Sequence, residues 1–163
     1  MNEGYWPKSE FLGMVANGEV PLTGSDAAED NLRLLIAFTR DSELSNRDWA
    51  TMLLAQQEVD SPEVRQALLV AADDVDPDVR AEALEGLASR DTELARPLVE
   101  RELAGGPCGY GTFRAALMIA HPSLLEGLRR WHGRFEEAWW NDLVRNAIRA
   151  CLSGVASPPS DSG

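Results

Sequence analysis

The sequence predicts an all-α protein, a solenoid of three to four stacked helix pairs closed at each end by a capping helix. Three observations predict it. The segment from Asp76 to Leu103 spells two short amphipathic helices joined by a turn. The same residue types return after a shift of 33, with Glu43 standing where Asp76 stands, Arg47 on Arg80, Ala50 on Ala83, Leu54 on Leu87 and Ala55 on Ala88. Helices this short are marginal by themselves in water, so each requires a neighbour on its apolar face.

In chain order, residues 1–26 are expected to form an N-terminal cap. Within it, Lys8 to Asn17 reads as a short helix with Phe11, Leu12 and Val15 on one side, ended by Asn17-Gly18 as a left-handed stop. Tyr5 and Trp6 are expected to help cover the first repeat. The repeats are expected over 27–131. Ala27 to Arg40 carries Leu32, Leu35, Ile36 and Thr39 at helical spacing. Ser45 to Gln57 follows, with Trp49 occupying the register of Glu82. Ser61-Pro62 opens the next helix by capping and by proline at its first position, and its core stripe is Val64, Ala67, Leu68 and Ala71.

Asp76-Pro77 repeats that opening, and Val79, Ala83, Leu84, Leu87 and Ala88 then share one face while Arg80, Glu82 and Glu85 fall elsewhere. Asp91 and Thr92 offer the next cap, ahead of Leu94, Leu98 and Leu103. Pro97 is expected to delay regular hydrogen bonding there. Ala104 to Gly111 holds four glycines and reads as a flexible connector, since it lacks both a P-loop Lys-Ser/Thr and a GxGxxG pattern. Thr112 to Ala120 and Pro122 to Trp131 form the last pair. Residues 134–152 form the C-terminal capping helix, with Leu143, Val144, Ala147, Ile148 and Cys151 within about 80° of Trp140. Phe135 and Trp139 fall outside that stripe and form an i,i+4 aromatic pair of their own. Residues 1–152 thus read as one domain, and 153–163 as a disordered tail.

Asp-Pro-Asp-Val-Arg leading into Ala-Leu-Glu-Gly-Leu-Ala resembles HEAT repeats, particularly the short bacterial type also found in phycobilisome lyases, over roughly Asn31 to Trp131. The resemblance implies a right-handed α-α superhelix that binds other macromolecules. It places the family's turn aspartate on Asp76 and its helix arginine on Arg80, with Glu43 and Arg47 one repeat earlier, all in structural roles. It also raises a phycobilin-lyase-like chromophore chaperone or isomerase, although a dedicated pigment cleft is not legible here.

The net charge of −12 is uneven: residues 41–103 carry −10, residues 1–40 carry −3 and residues 104–163 carry +1. A field of that sign repels phosphate backbones and attracts basic proteins, so direct nucleic-acid binding is not expected, and neither is the activity of glycosylases built on similar repeats. No run of 18 apolar residues or secretion signal is present, which reads as a cytoplasmic protein without a membrane span. Cys108 and Cys151 lack metal-ligand spacing and read as free thiols, Cys108 being open to reaction in its loop. The carboxylates Asp73, Asp74 and Asp76 lack the spacing of a calcium loop, and His121 and His132 lie in no catalytic signature, so no enzyme, metal or cofactor is expected.

The function expected is non-catalytic protein binding through an acidic surface, possible forms being neutralisation of a basic partner such as a toxin or self-association as a scaffold. Second helices of stacked pairs commonly line a concave face, which makes Gln66, Leu69, Val70, Arg96, Glu100, Arg129 and Arg130 the expected partner contacts, joined by Phe135 and Trp139 as aromatic anchors.

Overall fold

The computed structural model describes residues 5–157. Among them are nine α-helices and no strand: α1 (Glu10–Ala16), α2 (Asp26–Phe38), α3 (Leu44–Ala55), α4 (Pro62–Ala71), α5 (Pro77–Arg90), α6 (Thr92–Ala104), α7 (Tyr110–Ile119), α8 (Leu125–Trp131) and α9 (Ala138–Ser153). A 3-10 turn, Pro122–Leu124, leads into α8. The helices stack as an α-solenoid. Residues 158–163, most of the expected tail, lie outside the described residues.

Helix starts follow capping chemistry. Ser9, Ser25 and Ser61 accept from the backbone N–H three residues on, Asp76 accepts from Asp78 and Val79, and Asp91 accepts from Leu94. Glu43 stands in the register of Asp76 but makes no cap bond; its carboxylate takes the Lys8 ammonium at 2.7 Å instead. Pro97 does not delay α6, which runs unbroken from Thr92 through it.

Two rows of helices result. α3, α5, α7 and α9 lie side by side in the first, and α2, α4, α6 and α8 form the second, each against its neighbours in the first. The first row packs at the distance small residues allow. A Cβ at Gly86 would lie 2.7 Å from Ala55 Cβ, and one at Gly111 would lie 2.6 Å from the Ala81 carbonyl oxygen. In the second row α4 and α6 scarcely meet, so the stack bends toward the first row. The connector before α7 is therefore not flexible: Gly109 and Gly111 are its close-packing points against α5, and Cys108 is buried with its thiol donating to the Glu102 carbonyl at 3.2 Å.

The turn aspartates and helix arginines tie the repeats together. Arg47 Nε donates to Asp74 Oδ2 at 2.6 Å and its Nη1 to the Asp41 carbonyl. One repeat on, Arg80 Nε donates to Glu102 at 2.9 Å while its terminal nitrogens reach the carbonyls of Asp74, Val75 and Pro107. Both pairs are largely buried. Much of the central acidity is thereby spent on structure, including Asp74 and Glu102.

The next register position is Phe113, and there an aromatic cluster replaces the ion pair. Phe113 meets Trp131 and Phe135 edge-on, and Phe135 stacks on Trp140 with centroids 4.3 Å apart. This corrects the expected helix over 134–152. α9 begins only at Ala138, because Asn141 folds back to donate to the Phe135 carbonyl at 2.7 Å and Gly133 turns the chain at φ 69. Phe135 lies before the helix, so it forms no i,i+4 pair with Trp139 and is half-buried in the cluster. Trp139 is 55% exposed. At the other end Trp6 packs on Trp49 with centroids 4.8 Å apart, and the Ser9 N–H donates to Asn46, which seats the N-terminal segment on α3.

Candidate partner-binding groove

The inner faces of α3, α5 and α7 form an open groove of about 700 Å³. Each helix contributes at the spacing of one face: Met52 and Ala55 from α3, Glu82, Glu85 and Ser89 from α5, and Tyr110, Arg114 and Met118 from α7. Close packing of the first row at Gly86 and Gly111 brings these three faces together.

Its walls are apolar at Met52, Ala55 and Met118 and aromatic at Tyr110, whose ring meets exposed Trp139 edge-on at 5.2 Å. Its floor is acidic. Arg114 Nε donates to Glu85 Oε1 at 2.7 Å, and the guanidinium sits 5.8 Å from the centre of the Tyr110 ring. Arg90, at the groove's end, is committed to backbone carbonyls of the chain leaving α3. Beyond the groove toward the N-terminal segment, Asp48 accepts from the Tyr5 hydroxyl at 2.9 Å.

These carboxylates raise one another's proton affinity. Burial, then Glu85 and Asp48, push the Glu82 carboxyl up to about 8, against the opposing pull of Arg114. Burial likewise raises Asp48 and Asp78, and it raises Tyr5 together with the hydrogen bond to Asp48. Such perturbation marks a surface whose charges lack full compensation within the fold.

The residues expected to touch a partner lie mostly elsewhere. Gln66, Leu69 and Val70 sit on α4, Arg96 and Glu100 on α6, and Arg129 and Arg130 on α8, all in the second row. The groove belongs to the first row, whereas these expected contacts stand on the second. Gln66, Val70, Arg129 and Arg130 are exposed, while Leu69, Arg96 and Glu100 are half-buried. Glu100 and Arg130 flank a smaller recess of about 260 Å³ between α6 and α8. Arg130 donates there to the carbonyls of Leu103 and Ala104, and Glu100 accepts from the Ser123 hydroxyl. His121 accepts from the Ser123 N–H through Nδ1, which makes this cluster the cap of the 3-10 turn and leaves the carboxylate on serine instead of on histidine. Tyr110 and Met118 are groove residues that sequence reasoning did not single out. Their signal was an i,i+4 spacing with Arg114 along α7.

Among the described residues no group of three His, Cys, Asp or Glu could hold a metal ion, and no helix is long and apolar enough to cross a membrane. The Asp73 to Asp76 turn is occupied by its own bonds: Asp74 serves Arg47 and the Asp76 N–H, Asp73 pairs with Arg101, and Asp76 caps α5.

A family profile described as HEAT repeats matches residues 32–110. An X-ray structure of YibA from Escherichia coli superposes with a TM-score of 0.58 at 20% identity, over 86% of this chain and 54% of that one. The chain thus spans about half the length of that structure. No curated protein matches the sequence significantly.

Proposed function

We propose that this chain, which is a HEAT-repeat protein, binds a basic protein through the groove formed by α3, α5 and α7. HEAT repeats are scaffolds for protein interaction, and the observation that carries the finer reading is the sign of the groove. Glu82, Glu85 and nearby Asp48 and Asp78 face Arg114 as the cation available to them, and Glu85 already engages it. A cationic segment is steered to such a surface, and its apolar neighbours find Met52, Met118 and Tyr110. Neutralising a basic protein such as a toxin is a form of this function that a small acidic scaffold suits.

The test is capture from a cell lysate at low and high salt by wild type, by Glu58→Gln/Glu85→Gln in the groove and by Gln66→Ala/Val70→Ala on α4. The reading expects a basic protein that is retained at low salt, released once charges are screened, lost with the first variant and kept by the second. Retention by the groove variant, or loss with the α4 variant, would place the contact surface on the other row.

A further inference from the structure

We propose that Glu82 is the receptor in this groove for one lysine or arginine side chain of the protein partner. This rests on reading the groove as the partner surface and names the contact that decides which segment fits.

The geometry separates Glu82 from the other acids around it. Glu85 is paired with Arg114 at 2.7 Å, Asp48 is bonded to the Tyr5 hydroxyl at 2.9 Å, and Glu58 and Asp78 are exposed to water. Glu82 is half-buried, lines the groove, and has no hydrogen-bond donor or ion-pair partner among the described residues. A carboxylate partly withdrawn from water without a partner is costly: in the free groove a proton relieves it, and in a complex a cation takes the proton's place. The walls select the shape of that group. Met52, Met118 and the Tyr110 ring offer apolar cover for an aliphatic stem, which lysine and arginine possess and a hydrated metal ion does not. An anion is disfavoured by every carboxylate in the groove. Residues 153–163 contain no lysine or arginine, so that segment does not supply the cation.

The same surroundings couple docking to a proton. Glu82 faces Asp48 from α3, Asp78 and Glu85 along α5, and Arg114 and Tyr110 from α7, with Glu58 and Arg90 at the groove's end. Its carboxyl titrates near 8, so at pH 7 the free groove holds it protonated. An arriving cation stabilises the ionised form, and the proton leaves to solvent as the ion pair forms. Binding therefore strengthens as pH rises.

The probe is an octa-arginine peptide, whose charge is constant across the range. At fixed ionic strength its affinity for wild type is expected to rise about tenfold between pH 6.5 and 8.5. Calorimetry in two buffers of different ionisation heat should find close to one proton released per complex at pH 7. Glu82→Gln, similar in shape, should bind more weakly at pH 8.5 and lose both the pH slope and the proton release. An unchanged affinity and pH profile in Glu82→Gln overturns the proposal. In that event Glu58→Gln/Glu85→Gln, which changes the groove's other two acids, decides the broader reading: weakened peptide binding leaves the groove as the partner surface, and unaltered binding removes that as well.

Discussion

Arg90 Nη2 donates to the carbonyl oxygen of Gln57 at 2.5 Å, and this contact anchors a guanidinium that also reaches the carbonyls of Leu54, Ala55 and Val59. Leu54 and Ala55 are the last residues of α3, and Gln57 and Val59 belong to the chain that leaves it, where carbonyls run short of N–H partners. One side chain from the next repeat thus closes the helix of the previous one. Burial lowers the pKa of Arg90, which marks a cation held partly out of water by the bonds it makes.

Arg90→Met keeps the stem and removes the donors, so it should lower the free energy of unfolding by about 2 kcal/mol. Arg90→Lys restores charge but not the planar fork, and should recover only part of the loss. Urea denaturation monitored by far-UV circular dichroism reads both. Equal stability of wild type and Arg90→Met would mean that water serves these carbonyls as well as the guanidinium does.

Gly86 offers a sharper test of the first row's packing. In an exposed helix interior, glycine to alanine gains about 1 kcal/mol from helix propensity. Here the added Cβ would lie 2.7 Å from Ala55 Cβ and 2.9 Å from Ala55 Cα, with Leu68 Cδ1 at 3.2 Å. Overpacking should reverse the sign, with Gly86→Ala destabilising by about 1–3 kcal/mol. Ala55→Gly in the same chain removes the nearer atom but not the Cα, so the double variant should show a partial rescue in a thermal-unfolding cycle. A more stable Gly86→Ala would show that the rows separate freely.

The period was legible because it is carried by residue types at fixed spacing. Arg47 and Arg80 occupy equivalent places and form equivalent bonds, and Ala50 and Ala83 are both buried where the helices meet. What a sequence cannot rank is which of two equally amphipathic helices turns inward. That depends on which row tolerates closer approach, and the glycines that decide it, Gly86 and Gly111, look locally like breaks or flexibility. Glu82 was hidden for the same reason. Its partial burial comes from Tyr110 and Arg114 of the neighbouring repeat as well as from its own helix. The start of α9 was misplaced because the bond from Asn141 back to Phe135 substitutes for a turn signal that the residues between them do not carry.

The Arg80 and Glu102 pair should behave as a buried ion pair does. Glu102 is 8% exposed and accepts two bonds from Arg80 Nε, at 2.9 and 3.0 Å. Glu102→Leu strands the guanidinium and should cost about 3–5 kcal/mol, whereas Arg80→Met/Glu102→Leu should cost clearly less than the single variant. Chemical denaturation of the three proteins checks this. A double variant as unstable as the single one would mean that the Arg80 bonds to the Asp74 and Pro107 carbonyls, and not the ion pair, hold this junction.

Neither thiol should react in the folded protein. Burial pushes Cys108 up to about 12 and Cys151 up to about 11, so almost no thiolate is present near pH 8. Labelling with a disulfide reagent at that pH should be slow in buffer and should reach two thiols per chain in denaturant. Rapid modification of one thiol under native conditions would show that the segment before α7 opens.

Stability itself should depend on pH through Glu82. Its folded carboxyl titrates near 8 against an ordinary value of 4.5, so between those values the folded state holds a proton that the unfolded state has released. A group raised in this way favours folding fully below about 4.5, and that contribution is lost as pH climbs to about 8. Asp48 and Asp78 are raised as well and add in the same direction through the carboxylate range. With allowance for partial exposure, the loss assigned to Glu82 is about 2 kcal/mol. Glu82→Gln cannot ionise and should remove that part of the slope, leaving the variant more stable than wild type at pH 9 and comparable to it near pH 5. Urea midpoints at the two pH values measure the difference. Parallel declines in both proteins would place the uncompensated charge on Asp48 and Asp78 and leave Glu82 with water enough to ionise freely.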